Sequence, residues 1–282
     1  MEKPHREPET HASVLNPAYR ARHCGRLDGA AANVPSVERE PSMSPLSLEK
    51  VQQSAPPLVS LYKEAGVSLR KHGLQGQRAT VYLVMDRSGS MRPYYKDGTM
   101  QHLAEQVLAV SAHLDDDGVV PLVFFSTDVD GVHEIGLDNH AGRIAALHEQ
   151  LGHMGRTHYE AGMDAVLDHY LASDAAVPAL VIFQTDGGPT SRRAAEKWLC
   201  KAAELPLFWQ FIGFGDPDDR DFEFLHRLDE LPVPSRRIVD NAGFFAAGTD
   251  PRSLCDADLY DRLLGEFPAW LAAAGHRGIL PL

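Results

Sequence analysis

The sequence predicts an α/β domain: a doubly wound, mostly parallel central sheet flanked by helices, with one short antiparallel strand at an edge. Three observations predict it. Residues 81–85, 119–125, 179–183 and 207–212 are apolar runs with little alternation, the pattern of strands buried on both faces. Segments with helical periodicity fall between these runs, and strands alternating with helices build a parallel sheet. The first and third runs deliver an acid, Asp86 and Asp186, at the strand end where open α/β sheets place their ligand sites.

The elements follow in order. Leu58, Leu61, Tyr62, Ala65 and Leu69 mark one face of an amphipathic helix that Gly73 and Gly76 end. That helix is expected on the flank of the domain, with a partner-docking role as the alternative. Leu103, Val107, Val110 and Leu114 mark the helix after the first strand, and it stops at the acidic turn Asp115-Asp116-Asp117-Gly118. Residues 132–135 read as the short edge strand. Ile144, Leu147 and Leu151 mark a helix, and Met163, Val166, Leu167, Tyr170 and Leu171 mark the most regular one. After Asp186, Thr190 or Ser191 is the expected N-cap of a helix with Ala195, Trp198, Leu199 and Ala202 inward. Phe222, Leu225 and Leu228 give a further helix, and 238–239 reads as a last short strand. Leu259, Leu263, Phe267 and Leu271 mark a closing helix, kinked or broken near Pro268.

The chain has 282 residues, 44% hydrophobic and 23% charged, ordinary values for a globular protein. Its net charge of −12 argues against non-specific binding to nucleic acid or anionic membranes. No apolar stretch approaches the roughly 20 residues of a membrane span, and the N-terminus shows no apolar signal-peptide core. Three scattered cysteines, Cys24, Cys200 and Cys255, fit a reducing compartment, so a cytoplasmic location is expected. Residues 1–42 hold six Lys/Arg and six Asp/Glu, so the whole net charge lies downstream. Residues 1–46 read as a disordered extension, with Met43 as an alternative start; 47–77 as a helical segment; 78–275 as the main domain; and 276–282 as a tail.

The site chemistry begins at Asp86-x-Ser88-x-Ser90. An acid and two hydroxyls at alternate positions after a buried strand can converge on one point, and oxygen donors suit a hard cation such as Mg²⁺. Alone, the segment would serve equally as a helix N-cap with a tight turn. Two further segments accompany it: Gly155-Arg-Thr-His-Tyr-Glu160, with Thr157 just before a helix, and Thr185-Asp186-Gly187 after the third strand.

Asp86, Ser88, Ser90, Thr157 and Asp186, in this order, resemble the metal-ion-dependent adhesion site of von Willebrand factor A (vWA) domains, a Rossmann-like fold. The resemblance spans roughly residues 78–275. Arg87 inside the first motif, the Gly155–Glu160 segment, Val239-Asp-Asn-Ala-Gly-Phe-Phe245 and the leading Leu48-Glu-Lys-Val segment are most similar to the stand-alone bacterial type linked to tellurium resistance. The resemblance implies a non-catalytic binding module. Ser88 and Ser90 would hold the cation directly, and Thr157 directly or through water. Asp86 and Asp186 would act through metal-bound waters, and a carboxylate of a protein partner would complete the shell. It implies Mg²⁺ first, with Mn²⁺ or Ca²⁺ as alternatives, and calcium-binding proteins of tellurium-resistance and stress-response clusters as candidate partners.

Other chemistry has weaker support. A phosphohydrolase of the haloacid dehalogenase type would want an acid where Ser88 stands. P-loop, dinucleotide and nucleophile-elbow motifs are absent. Asp216, Asp218, Asp219 and Asp221 fail the EF-hand pattern and read as a solvated loop with an N-cap. His148, His153 and His158 recur at five-residue spacing, which does not gather side chains on one helix face. His158 and Tyr159 are expected on the rim that meets a partner, and Phe244-Phe245 in core packing.

Overall fold

The computed structural model describes residues 46–173, 176–233 and 235–280. The disorder expected for 1–46 and the alternative start at Met43 lie outside these residues, except Leu46. That residue is buried, and its N–H donates to Ala112 O at 3.0 Å.

Six strands form one sheet: β1 (Thr80–Asp86), β2 (Val119–Phe125), β3 (Val129–Gly136), β4 (Ala179–Thr185), β5 (Leu207–Gly213) and β6 (Ala242–Ala246). Their order is β3-β2-β1-β4-β5-β6, all parallel except β3, which runs antiparallel to β2 at the edge. The edge strand is where the sequence predicted one, but longer. The chain winds outward from β1 through β2 and β3, then returns to β1's other side as β4. Between the carboxyl ends of β1 and β4 the strand order therefore reverses, and that crevice is the switch point at which such sheets bind ligands.

Alternation along the strands divides the core in two. Val81, Leu83, Met85, Leu122, Phe124, Leu180 and Ile182 face one layer. Tyr82, Val84, Val123, Phe125, Val181, Phe183, Trp209 and Phe211 face the other. Burying each large apolar side chain stabilises the fold by about 1.5–3 kcal/mol. The first layer holds α1 (Leu48–Ser54), α2 (Val59–Lys71), the central helix two places on (Thr99–Leu114) and the two C-terminal helices. In chain order the helices after α2 are α3 (Arg92–Lys96), α4 (Thr99–Leu114), α5 (Arg143–Gln150), α6 (Tyr159–Ala172), α7 (Arg192–Ala202), α8 (Glu223–Asp229), α9 (Asp256–Leu264) and α10 (Phe267–His276). Helices α6, α7 and α8 cover the opposite face.

The apolar face of α2 is occupied, which disposes of the docking alternative. Leu61, Ala65 and Leu69, with Leu58 just before the helix, are buried in the layer that contains α4 and α9. Ser68 Oγ donates to Asp261 Oδ1 at 2.6 Å and Lys71 pairs with the same carboxylate, fastening α2 to α9. Gly73 and Gly76 follow at φ +69° and +75°, backbone that favours glycine, and they end the helix as predicted.

The C-terminal part corrects one expectation. Residues 238–239 are not a strand; the last strand is β6, four residues on. The buried Arg237 side chain binds Leu231 O, Asp229 O and Asn241 Oδ1, which holds 235–241 as an irregular segment. Pairing with β5 starts only where Trp209 N–H reaches Asn241 O. Phe244 and Phe245 lie half-buried on this strand, packed against the two core layers. The closing helix is broken as predicted, between α9 and α10, with Pro268 in α10's first turn where a missing N–H costs nothing.

Candidate metal centre

The register Met85↔Gln184 brings the ends of β1 and β4 level, so Asp86 and the Thr185-Asp186 pair emerge side by side at the switch point. Asp86 is wholly buried. Its Oδ1 accepts from Ser88 N–H at 2.6 Å, curling the chain into a tight turn, and its Oδ2 accepts from Thr185 Oγ1 at 2.7 Å. A buried carboxylate with both oxygens engaged cannot swing, so it fixes the turn that presents the serines. Ser88 Oγ and Ser90 Oγ lie 3.1 Å apart, and Ser90 Oγ donates to Asp186 Oδ1 at 3.0 Å. Ser88, Ser90 and Asp186 thus form one string of oxygens, with Asp86 fixed behind it through the Ser88 N–H. Burial pushes the Asp86 carboxyl up to about 7, against its hydrogen bonds from Thr185 and Ser88, with the Asp186 charge adding to the rise. Burial likewise raises Asp186.

Thr157 reaches the same rim through its backbone. Gly89 N–H donates to Gly155 O at 3.1 Å, and Thr190 N–H donates to Thr157 O at 2.7 Å. This approach needs glycine at 155. A Cβ there would lie 2.5 Å from Thr127 Oγ1 and 2.8 Å from Ser126 Oγ. Among the described residues, no hydrogen bond joins the Thr157 side chain to the other four. The structure therefore links Asp86, Ser88, Ser90 and Asp186 directly and sets Thr157 beside them.

Several supporting residues were not legible as such. Arg87, inside the motif, points away from the serines and is 1% exposed. Its Nη1 donates to Asp130 Oδ2 at 2.8 Å, its Nη2 to Leu151 O and Gly152 O at 3.0 Å each, and its Nε to His148 Nδ1 at 3.3 Å. It thereby ties the β1 turn to the start of β3 and to the segment leading into the threonine loop. Tyr95, stacked on His148, donates to Asp86 O at 3.0 Å. Tyr159, expected on the rim, is instead wholly buried, and its hydroxyl donates to Gly187 O behind the site. Only His158 of that pair is partly exposed. Asp221 adds negative potential beside Asp186, against whose following glycines it packs.

The other clusters carry no metal geometry. Among the described residues, no group of three or more His, Cys, Asp or Glu side chains is arranged to hold an ion. Asp216 and Asp219 cap their own loop, accepting from Asp218 N–H and Asp221 N–H. The donors at the switch point are hydroxyl and carboxylate oxygens, hard ligands that fit Mg²⁺, Mn²⁺ or Ca²⁺ and not a soft metal.

A doubly wound sheet with a hydroxyl-and-acid site at its switch point defines the vWA class of domain. The chain belongs to the vWA family of the kind found in the TerF C terminus, whose model matches residues 78–280. An uncharacterized Bacillus subtilis (strain 168) protein, YcbR, is 33% identical over 222 residues, covering 77% of this chain and 88% of that protein. Among solved structures, the manganese-loaded Plasmodium vivax TRAP protein is 17% identical with a TM-score of 0.45, covering 66% of this chain and 74% of that one. A von Willebrand factor type A structure from Catenulispora acidiphila is 14% identical with a TM-score of 0.46, covering 67% and 42%. Among the described residues, no helix is long and apolar enough to cross a membrane.

Proposed function

We propose that this chain is a non-catalytic, metal-dependent protein-binding module. Asp86, Ser88, Ser90, Thr157 and Asp186 hold a divalent cation, Mg²⁺ in the first place, and an acidic residue of a partner protein completes its coordination. The observation that carries this reading is the oxygen string Asp186–Ser90–Ser88 with Asp86 fixed behind it. Neighbouring ligands of an octahedral Mg²⁺ at about 2.0–2.1 Å stand about 3 Å apart, and the two serine oxygens are 3.1 Å apart. When bound, the cation supplies an electrophile for an incoming carboxylate. Neutral hydroxyls leave it that character, where extra carboxylates would quench it. Membership of the TerF-type vWA family supports a bacterial tellurium-resistance or stress-response setting in the cytoplasm, with calcium-binding proteins of such systems as candidate partners.

Calorimetric titration of Mg²⁺, Mn²⁺ and Ca²⁺ into metal-free protein tests the reading, with the Ser88→Ala/Ser90→Ala double variant alongside. One binding site in the wild type, lost in the folded variant, is the expected result. A wild type that takes up none of the three ions would overturn the metal and leave a vWA scaffold that binds through other surfaces.

A further inference from the structure

We propose that the chain carries a second binding surface, an arginine-lined groove between α7 and α8 that takes an acidic segment of a protein partner. Arg192, Arg193 and Lys197 of α7, Arg227 of α8 and Arg236 of the following loop line a cleft of about 690 Å³, with Glu196 among them. A second depression of about 560 Å³ shares Glu196, Arg227 and Arg236 with the first and runs on to Glu230, Leu231 and Pro232. The two adjoin through these shared residues. Together they concentrate five cations in a chain whose net charge is −12.

The cations are gathered at one place and, among the described residues, mostly left without a counter-charge. The first turn of α7 carries Arg192 and Arg193 and no acid, the charge order that the helix macrodipole disfavours. The guanidinium carbons of Arg192 and Arg227 lie 5.9 Å and 5.7 Å from the centroid of the same ring, Phe224, which is buried. Two like charges are therefore held beside the same ring by cation–π attraction. Among the described residues, the one ion pair these five cations make is Arg236 with Glu196. An anion in the groove relieves both the repulsion and the dipole conflict, and guanidinium forks match carboxylates in pairs.

The shape favours a polypeptide. A single phosphate fills a small part of this cleft, and its far end sets Leu231 and Pro232 beside Glu230 and Ser235, with Val233 exposed next to them in the chain. The chain's overall negative charge opposes a long nucleic-acid backbone, whereas a short acidic segment meets the local cations and lays an apolar side chain at the end.

The test is fluorescence anisotropy with a labelled peptide of about ten glutamates ending in leucine, at physiological ionic strength. EDTA is present throughout, so no cation can bridge the peptide to the switch-point site. The expected result is saturable binding that weakens roughly tenfold or more, about what losing a charge-assisted contact costs, in Arg192→Ala/Arg227→Ala. A second variant, Arg193→Ala/Lys197→Ala, leaves the Phe224 contacts in place and is expected to weaken binding as well; thermal melts establish that each is folded. No saturable binding to the wild type, or equal binding to a folded variant, overturns the proposal. So does preferential binding of an oligo-dT of about ten nucleotides, or displacement of the peptide by inorganic phosphate near its own concentration. None of these outcomes bears on cation binding at the switch point, so the two sites stand or fall separately.

Discussion

Arg87 and Arg237 are both buried arginines with every fork of the guanidinium engaged, yet they do different work. Arg87 reaches across the fold. Its partners sit on β3 and at the end of α5, 43 to 65 residues away in sequence. Arg237 reaches only its near neighbours in sequence, to Asp229 at the end of α8 and to Leu231, Asn241 and Asp240 after it, none more than 8 residues away. Their carboxylates differ too: the Asp130 side chain is 15% exposed, and that of Asp240 is 59% exposed. The first arginine joins three elements around the candidate site, and the second shapes one connection. Burial of charge therefore marks a junction within the fold where the partners lie far along the chain, and a local staple where they lie close by.

Removing Arg87 should have the larger effect. Arg87→Ala takes the counter-charge from Asp130, which keeps only the neutral Ser126 hydroxyl among its described partners, and leaves the Leu151 and Gly152 carbonyls without this donor. Breaking a buried pair in this way costs about 3–5 kcal/mol. Urea unfolding should report that loss, and any folded remainder should bind cations more weakly, because the turn at Ser88 and the threonine loop lose their common anchor. Arg237→Ala should cost about 2–3 kcal/mol, since Asp240 is free to hydrate and what is lost is chiefly hydrogen bonds to a charged donor. Its cation affinity should match the wild type. Equal losses of cation binding in the two variants would erase the distinction between junction and local staple.

The same contrast explains what the sequence could reveal. Strands β1, β2, β4 and β5 are written as apolar runs because both of their faces are buried, and Asp86, Ser88, Ser90 and Asp186 are close to strand ends that such runs locate. The hydrogen bond from Thr185 to Asp86, the network of Arg87 and the burial of Tyr159 depend on neighbours far along the chain, so no local pattern encodes them. Strand β6 was misplaced for a related reason. Its Ala-Gly-Phe-Phe-Ala segment is a weak strand signal, and Gly243 is there because a Cβ would press within 2.7 Å of Glu266 Oε1 and 2.9 Å of Gln210 Oε1. Ile238 and Val239 look more strand-like, but Arg237 holds them in the loop.

Asp115 offers the converse of Arg87, a partly buried charge whose partners are incomplete. It lies at the opposite end of the molecule, just after α4 and before β2, where Arg78 approaches it at 3.8 Å while pairing more closely with Asp116 at 3.1 Å. Burial, with the charges of Asp117 and Asp116, raises its carboxyl from 3.8 to about 6, against the hydrogen bond from Asp116 N–H and the attraction of Arg78. The sign follows from linkage. A carboxyl that holds its proton more tightly when folded contributes stability that is fully present below pH 3.8 and is lost as pH rises through about 6. Asp115→Asn keeps the oxygen that accepts from Asp116 N–H and removes the charge. It should therefore stabilise the protein at neutral pH by about 1 kcal/mol, after discounting for the partial exposure of the site, and flatten the stability profile between pH 4 and 6. Unfolding midpoints measured across that range check both parts. A variant less stable than wild type at neutral pH would mean that Arg78 already satisfies Asp115, and that incomplete pairing is not what distinguishes this acid from Asp130.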